Sequence, residues 1–304
     1  MTLLPYSEVA ATLPWFFPTV ALILGACVGS FLNVIIYRLP KEESIITPRS
    51  HCGCGQPIPW FDNLPILSWL LLRGRARCCG RAFSFRYPFV ELLTALLFLA
   101  CWLKFPPLVA VAGWFFLSCL VAATFIDLDH MIIPDVFTLG LGVAGVLLSV
   151  LIPALHGRQE GFFVVDSLRA GATSVQGLFV GSGLVLWIAL LAEAVLKKEA
   201  MGFGDVKFVG AIGAFCGWQG AVFAVFGGAV VGTLWFAVAW SWEKITGRRS
   251  VVAPPSETAE GEAAPLAFGA HVPFGPMLAI AGALYFLFVR PYALAWVADV
   301  SVLF

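Results

Sequence analysis

Long uncharged segments alternate with short polar connections along this chain of 304 residues. Most of these segments can cross a bilayer, because a transmembrane helix needs roughly 20 apolar residues. The uncharged segments are residues 9–37, 105–126, 136–155, 170–192, 208–242 and 272–289, with a shorter one at 92–103. The pattern predicts an all-α fold that crosses the membrane several times.

The segment 208–242 is too long for a single crossing. Near its start, the sequence Gly217-Trp218-Gln219-Gly220 offers a turn, because paired glycines commonly interrupt helices. Dividing the segment there predicts about eight transmembrane helices in the whole chain.

The composition supports a membrane protein and argues against other classes. Hydrophobic residues make up 60% of the chain and charged residues 12%, which is too apolar for a soluble domain of this length. The formal net charge is zero, which argues against a nucleic-acid partner. Basic residues instead concentrate in one loop, where we expect them to meet anionic lipid headgroups.

That loop, residues 38–86, also predicts the orientation of the chain. It carries eight lysine and arginine residues against three acidic residues, so the positive-inside rule places it in the cytoplasm. The first apolar segment has no signal-peptide cleavage pattern and is expected to be retained. Counting helices from there places the loops 127–135, 193–207 and 243–271 on the cytoplasmic side as well.

These boundaries divide the chain into three parts: a first transmembrane helix at 1–37, a cytoplasmic loop subdomain at 38–86, and a membrane domain at 87–304. Within the membrane domain, residues 246–264 are rich in Ala, Pro, Glu and Ser and are expected to form a flexible linker. The loop subdomain is too short to bury a core of its own. We therefore expect a metal ion, or docking onto the helices, to stabilise it.

Two aspartates at the edges of apolar runs are the candidate catalytic residues. Asp127 lies closest to the apolar side of a cluster that also contains Asp129 and Asp135, and Asp135 is placed to cap the next helix. Asp205 follows Gly202 and Gly204 in a second motif, whose glycines let another backbone approach closely.

A pair of close carboxylates can hydrolyse a peptide without a metal ion. Because both cannot ionise together, one stays protonated and polarises the carbonyl group while the other activates water. Lys207, two residues after Asp205, is a candidate supporting residue, but the favoured interpretation is an interfacial lysine extending towards water. The alternative for each aspartate is that it only marks a helix end.

Six ordered segments of the chain stand out together: residues 29–40, 60–69, 86–92, the Asp127 segment, the segment 202–207, and 272–276. In this order they resemble the bacterial type IV prepilin peptidases, also called bifunctional leader peptidase/N-methyltransferases. The resemblance implies that Asp127 and Asp205 form the catalytic pair of a membrane aspartyl protease, with Gly202, Gly204, Lys207 and Asp129 in supporting motif positions. It implies cleavage of the basic leader from type IV prepilins or type II secretion pseudopilins, after a glycine, at the cytoplasmic face of the inner membrane.

The resemblance also implies two further components, S-adenosylmethionine and zinc. Larger members of this family methylate the new N-terminal amine with S-adenosylmethionine, but the sequence has no glycine-rich cofactor motif for it. A site between the loop and the helix ends, near Glu91 and Asn63, is one prediction, and roles as helix cap and turn residue are the alternatives. The transferase half is therefore expected from the resemblance alone.

The cysteines of the loop depart from the pattern of the family, which usually has two Cys-x-x-Cys pairs. Here the loop has Cys52-Gly53-Cys54 and the adjacent Cys78-Cys79, with Ala76 where the third cysteine is expected. Four thiolates still predict a tetrahedral zinc site, with His51 as a possible substitute ligand. The alternatives are a loop that has lost zinc and, least favoured in a reducing cytoplasm, structural disulfides.

Three functions thus remain open from the sequence. The leading prediction is a peptidase with N-methyltransferase activity. A second is a peptidase whose altered cysteine loop has lost the transferase. The third is a non-enzymatic transporter, in which the aspartates bind a coupling cation.

Overall fold

The computed structural model describes residues 6–158, 161–197, 201–246 and 273–301. Over these ranges the chain is mostly helical, and two isolated bridges in the 38–86 loop are its only extended pairings. The α-helices are α1 (Tyr6–Thr12), α2 (Phe16–Arg38), α3 (Leu67–Leu71), α4 (Arg86–Lys104), α5 (Pro107–His130), α6 (Leu139–Leu151), α7 (Phe163–Leu196), α8 (Phe203–Thr246), α9 (Gly275–Leu284) and α10 (Arg290–Ser301). The predicted linker at 246–264 lies outside the described residues apart from Thr246.

The all-α, polytopic architecture predicted from the sequence is confirmed. Six helical segments in the described part of the chain are long and apolar enough to cross a membrane. They are α2, α4, α5, α7, α8 and the segment from α9 into α10, whereas α6 is a shorter apolar helix. The exact number of eight crossings is not confirmed.

Helix α8 is interrupted at Gly217, inside the turn that the sequence predicts. Gly217 has φ 73° and ψ 178°, a conformation that only glycine adopts without strain. Gly204, near the start of α8, faces Ile133, whereas Gly220 faces Tyr285 and Gly232 faces Met277 of α9. Ile133 also contacts Gly275, so the first half of α8 begins beside the start of α9. The second half begins beside Tyr285, after the end of α9, and later reaches Met277 near its start. The two halves of α8 therefore run in opposite directions.

Small residues bring the helices into close contact. Glycines of α2 pack against the backbone of α4, and Gly177 of α7 packs directly against the backbone of Gly213 in α8. Close packing of this kind is the main source of helix association in lipid, where the hydrophobic effect does not hold helices together. The α7–α8 contact fixes the first half of α8, which carries Asp205.

Replacing Gly177 with Ala is therefore expected to destabilise the protein by about 1–3 kcal/mol, the usual cost of overpacking. A Cβ at this position would also lie 2.8 Å from the backbone carbon of Gly217. The measurement is the midpoint of thermal unfolding in detergent. Gly183→Ala on the same helix is the matched control, since a Cβ there meets nothing within 4 Å; equal midpoints for the two variants would contradict the prediction.

Helix α5 is the central element of the bundle. Phe116 stacks on Phe215 of α8 with ring centroids 4.6 Å apart, and Phe286, after α9, lies 5.4 Å from Phe116. All three rings are buried. This core brings α5, α8 and α9 together, so the end of α5 and the beginnings of α8 and α9 meet at one end of the bundle, which we call the aspartate end.

Candidate active site

Asp127 is a buried carboxylate in the last turn of α5, with 5% of its surface exposed. The helix ends three residues later, where Met131 adopts a left-handed conformation and donates its N–H to the Asp127 carbonyl oxygen. A carboxylate at a helix C-terminus is unfavourable, because the helix dipole is negative there. The start of α9 offsets this cost, since the N–H of Gly275 donates a hydrogen bond of 3.1 Å to Asp127 Oδ2.

Asp205 lies in the first turn of α8 and is half-buried. A carboxylate is favourable there, because the N-terminus of a helix carries partial positive charge. The N–H of Asp205 donates to the carbonyl oxygen of Gly202, which closes the turn that starts the helix. The sequence motif Gly202-Phe203-Gly204-Asp205 thus forms the beginning of a helix, with the carboxylate next to its free amide groups.

The two aspartates come from different helices and meet at the aspartate end. Gly275 contacts Asp127 directly, and Ile133 lies against both Gly275 and Gly204, one residue before Asp205. The carboxyl groups of Asp127 and Asp205 are close enough to interact electrostatically. The structure therefore brings together the two residues that the sequence singled out, although they are 78 positions apart in the chain.

Asp129 is not part of this pair. Its Oδ1 accepts a hydrogen bond of 2.7 Å from Arg86 Nη1, and the other terminal nitrogen of Arg86 donates to the carbonyl oxygen of Phe125 at 3.2 Å. Arg86 therefore ties the start of α4 to the last turns of α5. Asp129 is exposed, so its contact with Arg86 is a structural contact at the surface of the site.

Lys207 forms an ion pair with Asp135, and this contact corrects two expectations. Lys207 Nζ donates to Asp135 Oδ1, so the lysine does not merely extend towards water. Asp135 makes no capping hydrogen bond to α6, because its carboxylate instead accepts from Lys207 and from the Thr138 hydroxyl. The pair joins the start of α8 to the segment that follows Ile133.

Gly202 and Gly204 do not bring backbones into close contact, contrary to the expectation from the sequence. A Cβ at Gly202 would lie 3.9 Å from Asp205 Oδ2, and a Cβ at Gly204 would lie 3.8 Å from Ile133, both ordinary van der Waals distances. The close approach at the aspartate end occurs at Gly275, where a Cβ would lie 2.5 Å from Asp127 Oδ2. The sequence resemblance includes residues 272–276 but predicts no role for Gly275.

Replacing Gly275 with Ala should lower peptide cleavage about 10- to 100-fold, because the added methyl group displaces the Asp127 carboxylate and small displacements of this size have such effects. The measurement is the rate of leader cleavage in membranes that contain equal amounts of each variant. Gly140→Ala is the control, since a Cβ there lies 3.7 Å from its nearest neighbour. Unchanged cleavage by Gly275→Ala would show that the Asp127–Gly275 contact is not needed.

The four loop cysteines converge although their spacing is irregular. Cys52 and Cys79 have Sγ atoms 3.6 Å apart, Cys54 and Cys78 have Sγ atoms 3.4 Å apart, and all four lie within 4.8 Å of one another. Cys52 and Cys54 lie in one tight turn, where the Cys52 N–H donates to the Gln56 carbonyl oxygen. Cys78 and Cys79 lie in a second turn, where the Ala76 N–H donates to the Arg81 carbonyl oxygen.

This geometry fits a tetrahedral metal site. Zn–S bonds of about 2.3 Å place the sulfurs of a tetrahedron roughly 3.8 Å apart, close to the separations in this cluster. Ala76 begins the second turn and is itself buried, and Cys78 and Cys79 of this turn both reach the cluster. His51, the possible substitute ligand, is not in the cluster, and its ring Nδ1 instead lies 3.3 Å from the carbonyl oxygen of Arg49.

The thiols of the cluster differ in acidity. Hydrogen bonds from the Cys54 backbone N–H and the Cys78 thiol lower the pKa of Cys52 to about 7. Hydrogen bonds with Cys54 and Cys52 raise the pKa of Cys78 to about 12. Four close thiolates repel one another, so a divalent cation is the natural means of keeping all of them ionised.

Buried polar groups hold the loop against the membrane helices. Glu91 of α4 is 9% exposed, and its Oε2 accepts a hydrogen bond of 2.7 Å from the N–H of Ile66, at the start of α3. Glu91 is therefore not a cap of its own helix, contrary to the alternative interpretation of the sequence. Asn63 ends the 3-10 turn Trp60–Asn63, which agrees with its role as a turn residue.

Further contacts stabilise the loop itself. Arg77 forms a bidentate ion pair with Asp62, with N–O distances of 2.8 and 2.9 Å, and this pairing lowers the pKa of Asp62. Arg38, buried at the end of α2, donates to the carbonyl oxygens of Ser44 and Pro48. The loop subdomain is thus held by docking onto the helices as well as by its cysteine cluster.

Comparison with known proteins agrees with the geometry of the site. Residues 23–105 match the bacterial peptidase A24 N-terminal domain, and residues 114–237 match the type IV leader peptidase family. A prepilin leader peptidase/N-methyltransferase of Aeromonas salmonicida is 35% identical over 315 residues, which covers 93% of this chain and 94% of the relative. This chain belongs to the type IV leader peptidase family. The resemblance noted from the sequence is confirmed.

Other relatives of this leader peptidase family member match over shorter ranges. The prepilin leader peptidase/N-methyltransferase of Myxococcus xanthus is 42% identical over 224 residues, 70% of this chain and 61% of the relative. A type 4 prepilin-like proteins leader peptide-processing enzyme of Escherichia coli is 39% identical over 228 residues, 67% of this chain and 78% of the relative. No solved structure matches the chain.

Proposed function

We propose that this protein is a membrane aspartyl endopeptidase that removes the leader from type IV prepilins or type II secretion pseudopilins and then methylates the new N-terminal amine. The observation that carries the peptidase half is the meeting of Asp127 and Asp205 at one end of the bundle, with Asp127 held by Gly275. The names of the relatives, which combine leader peptidase and N-methyltransferase, support the two activities.

In the proposed reaction, the two aspartates share one proton. The ionised carboxylate takes a proton from water, and the resulting hydroxide attacks the peptide carbonyl carbon while the protonated carboxyl group donates to the carbonyl oxygen. In the collapse of the tetrahedral intermediate, the carboxyl group that took its proton from water gives that proton to the leaving amine, and the C–N bond breaks. The other carboxylate takes back a proton from a hydroxyl group of the intermediate. The Gly275 N–H holds one oxygen of Asp127 throughout, which orients the carboxylate towards its partner.

The reaction is proposed to take place at the cytoplasmic face of the inner membrane. The 38–86 loop, with its excess of basic residues, adjoins the aspartate end through the Arg86–Asp129 ion pair. By the positive-inside rule, this end therefore faces the cytoplasm. A prepilin would enter from the lipid, with its apolar helix in the bilayer and its basic leader in the cytoplasm.

For the methyl transfer, S-adenosylmethionine would supply an activated methyl group to the free amine. Its sulfonium and adenine groups call for carboxylates and aromatic faces. The loop end of α4 offers the exposed ring of Phe85 and the half-exposed ring of Tyr87, and one turn further along is the buried carboxylate of Glu91, which also accepts from the Ile66 N–H. These residues fit the donor in chemistry, and we propose that they hold it near the amine released at the aspartate end.

Zinc is proposed as a structural ion held by Cys52, Cys54, Cys78 and Cys79. Its role would be to fix the two turns of the loop relative to each other, because a closed four-sulfur site leaves no position for a substrate. The convergence of the sulfurs supports a metal site despite the irregular spacing that motivated the peptidase-only alternative.

The test of the proposed function is incubation of a purified prepilin with membranes that contain this protein, followed by mass analysis of the mature N-terminus. Cleavage after the leader glycine with addition of one methyl group is the expected result. Cleaved but unmethylated product in the presence of S-adenosylmethionine would support the peptidase activity without the methyltransferase activity. Intact prepilin would contradict the proposal, provided that a known prepilin peptidase cleaves the same preparation.

A further inference from the structure

A buried arginine lies at the end of the bundle that is opposite Asp127. Arg290 begins α10 and has 8% of its surface exposed. Its Nη2 donates a hydrogen bond to the carbonyl oxygen of Leu155. This carbonyl group satisfies one of the five N–H donors of the guanidinium group but does not neutralise its charge. A buried, uncompensated cation is strongly unfavourable, so an anion is expected nearby.

The described part of the chain supplies no such anion. The ion pairs within these residues involve Arg77, Arg86 and Lys207, and none involves Arg290. The groups that interact electrostatically with Arg290 include Cys216 and Tyr285. Cysteine and tyrosine ordinarily ionise only above about pH 8 and 10, respectively, so neither is a ready counterion.

A third neighbour, His156, also lacks negative charge. Burial and the nearby charge of Arg290 lower the pKa of His156 to about 3, so its ring is neutral at physiological pH. Its Nε2 lies 2.9 Å from the Ser149 hydroxyl. The charge of Arg290 is thus uncompensated among these neighbours, and the Tyr285 hydroxyl, which is buried beside it, has no hydrogen-bond partner among the described residues.

Arg290 opens onto a cavity of about 170 Å³. This volume has room for a small oxyanion, since a water molecule needs only about 10–15 Å³ by the same kind of measure. The lining is largely polar and includes a second arginine. The side chains around the cavity include Arg158, Thr173, Gln176, Trp218 and Gln219.

Two irregularities of the backbone lie at or next to this cavity. The break at Gly217 starts the second half of α8 at the cavity, and a helix start presents backbone N–H groups that suit anions. On the other side, the π-helical segment Tyr285–Val289 immediately precedes Arg290. Such segments are rare and occur frequently at functional sites.

We propose that this cavity binds a phosphate group, supplied by an anionic phospholipid headgroup or by free phosphate. The fork of a guanidinium group matches two oxygens of a phosphate, and two arginines with amide and hydroxyl side chains complete such a site. Trp218 lies at the cavity, and tryptophan is typical of the interface where headgroups lie. The site would stabilise the turn of α8 from the side of the membrane opposite the aspartates.

The test measures the thermal unfolding midpoint of the detergent-purified full chain. One arm titrates sodium phosphate against sodium chloride at matched ionic strength. The other titrates phosphatidylglycerol, with its retention followed by native mass spectrometry. The variants are Arg290→Gln, Arg290→Lys and Arg158→Gln, and the control is Arg169→Gln, an exposed arginine on α7 near the same end.

We expect stabilisation of the wild type and of Arg169→Gln, and binding weakened at least about tenfold in Arg290→Gln. If that variant does not fold, Arg290→Lys, which keeps the charge and loses the fork, and Arg158→Gln should show weakened binding instead. Stabilisation by the lipid alone would identify a site for a lipid headgroup. Stabilisation by both would show that the site also accepts free phosphate. No stabilisation of the wild type by either, or equal stabilisation of all variants, would overturn the proposal.

Glu160 serves as a further control, because it follows Arg158 closely in sequence and lies outside the described residues. Glu160→Gln should bind phosphate at least as well as the wild type. If instead this substitution creates phosphate binding that the wild type lacks, the counter-charge comes from the chain itself and the proposal is wrong. All these measurements are independent of peptidase activity, so their outcome is separate from that of the proposed function.

Discussion

Replacing Asp127 or Asp205 with Asn is expected to lower leader cleavage by about 10³-fold or more, while the protein still inserts into the membrane. Each amide keeps the shape of its carboxylate but can neither take a proton from water nor share one with its partner. In Asp127→Asn, the amide oxygen could still accept the hydrogen bond from the Gly275 N–H, so the start of α9 should keep its position. The measurement is the cleavage rate of a prepilin at equal enzyme content.

Asp129→Asn is the matched control for this prediction, since Asp129 lies on the same helix two residues after Asp127. Its carboxylate is engaged by Arg86 at the surface of the site, and exposed ion pairs contribute little to stability. We expect Asp129→Asn to retain most of the activity. Full cleavage by Asp127→Asn or Asp205→Asn, or loss of activity only in Asp129→Asn, would refute the assignment of the pair.

The second large effect is expected at the cysteine cluster. Protein purified without chelator should contain about one zinc ion per chain, and the Cys54→Ser and Cys79→Ser variants should lose it, because a structural site needs all four ligands. The double variant Cys78→Ser/Cys79→Ser should release cleaved but largely unmethylated pilin. The physical reason is that the loop adjoins the proposed methyl-donor site, whereas the aspartates are carried by α5 and α8.

Cys27→Ser is the control for the metal content, because Cys27 lies on α2 and is exposed, outside the cluster. Elemental analysis and mass spectrometry of the mature pilin are the measurements. Metal-free wild-type protein would show that packing and the Glu91–Ile66 contact hold the loop. Fully methylated pilin from the double variant would show that the transferase does not depend on the loop cysteines.

The residues of the candidate site could be predicted from the sequence more fully than the packing around them. Asp127 and Asp205 could be found from the sequence because a carboxylate at the edge of an apolar run is costly and therefore conspicuous. The cluster of Cys52, Cys54, Cys78 and Cys79 could be expected from the residue types alone. Their irregular spacing left open whether the sulfurs meet, since that depends on the two turns that present them.

The sequence by itself determined the membrane class, the all-α fold and the break at Gly217, because apolar run length and glycine preferences are local properties of the chain. Only the tertiary structure decided which groups face each other. The Gly275 N–H at Asp127, Arg86 at Asp129 and Lys207 at Asp135 join segments far apart in sequence. Nothing local encodes such contacts, because they arise from the packing of α4, α8 and α9 around α5 and the segment that follows it. The tertiary structure likewise leaves Arg290 buried without a carboxylate partner among the described residues.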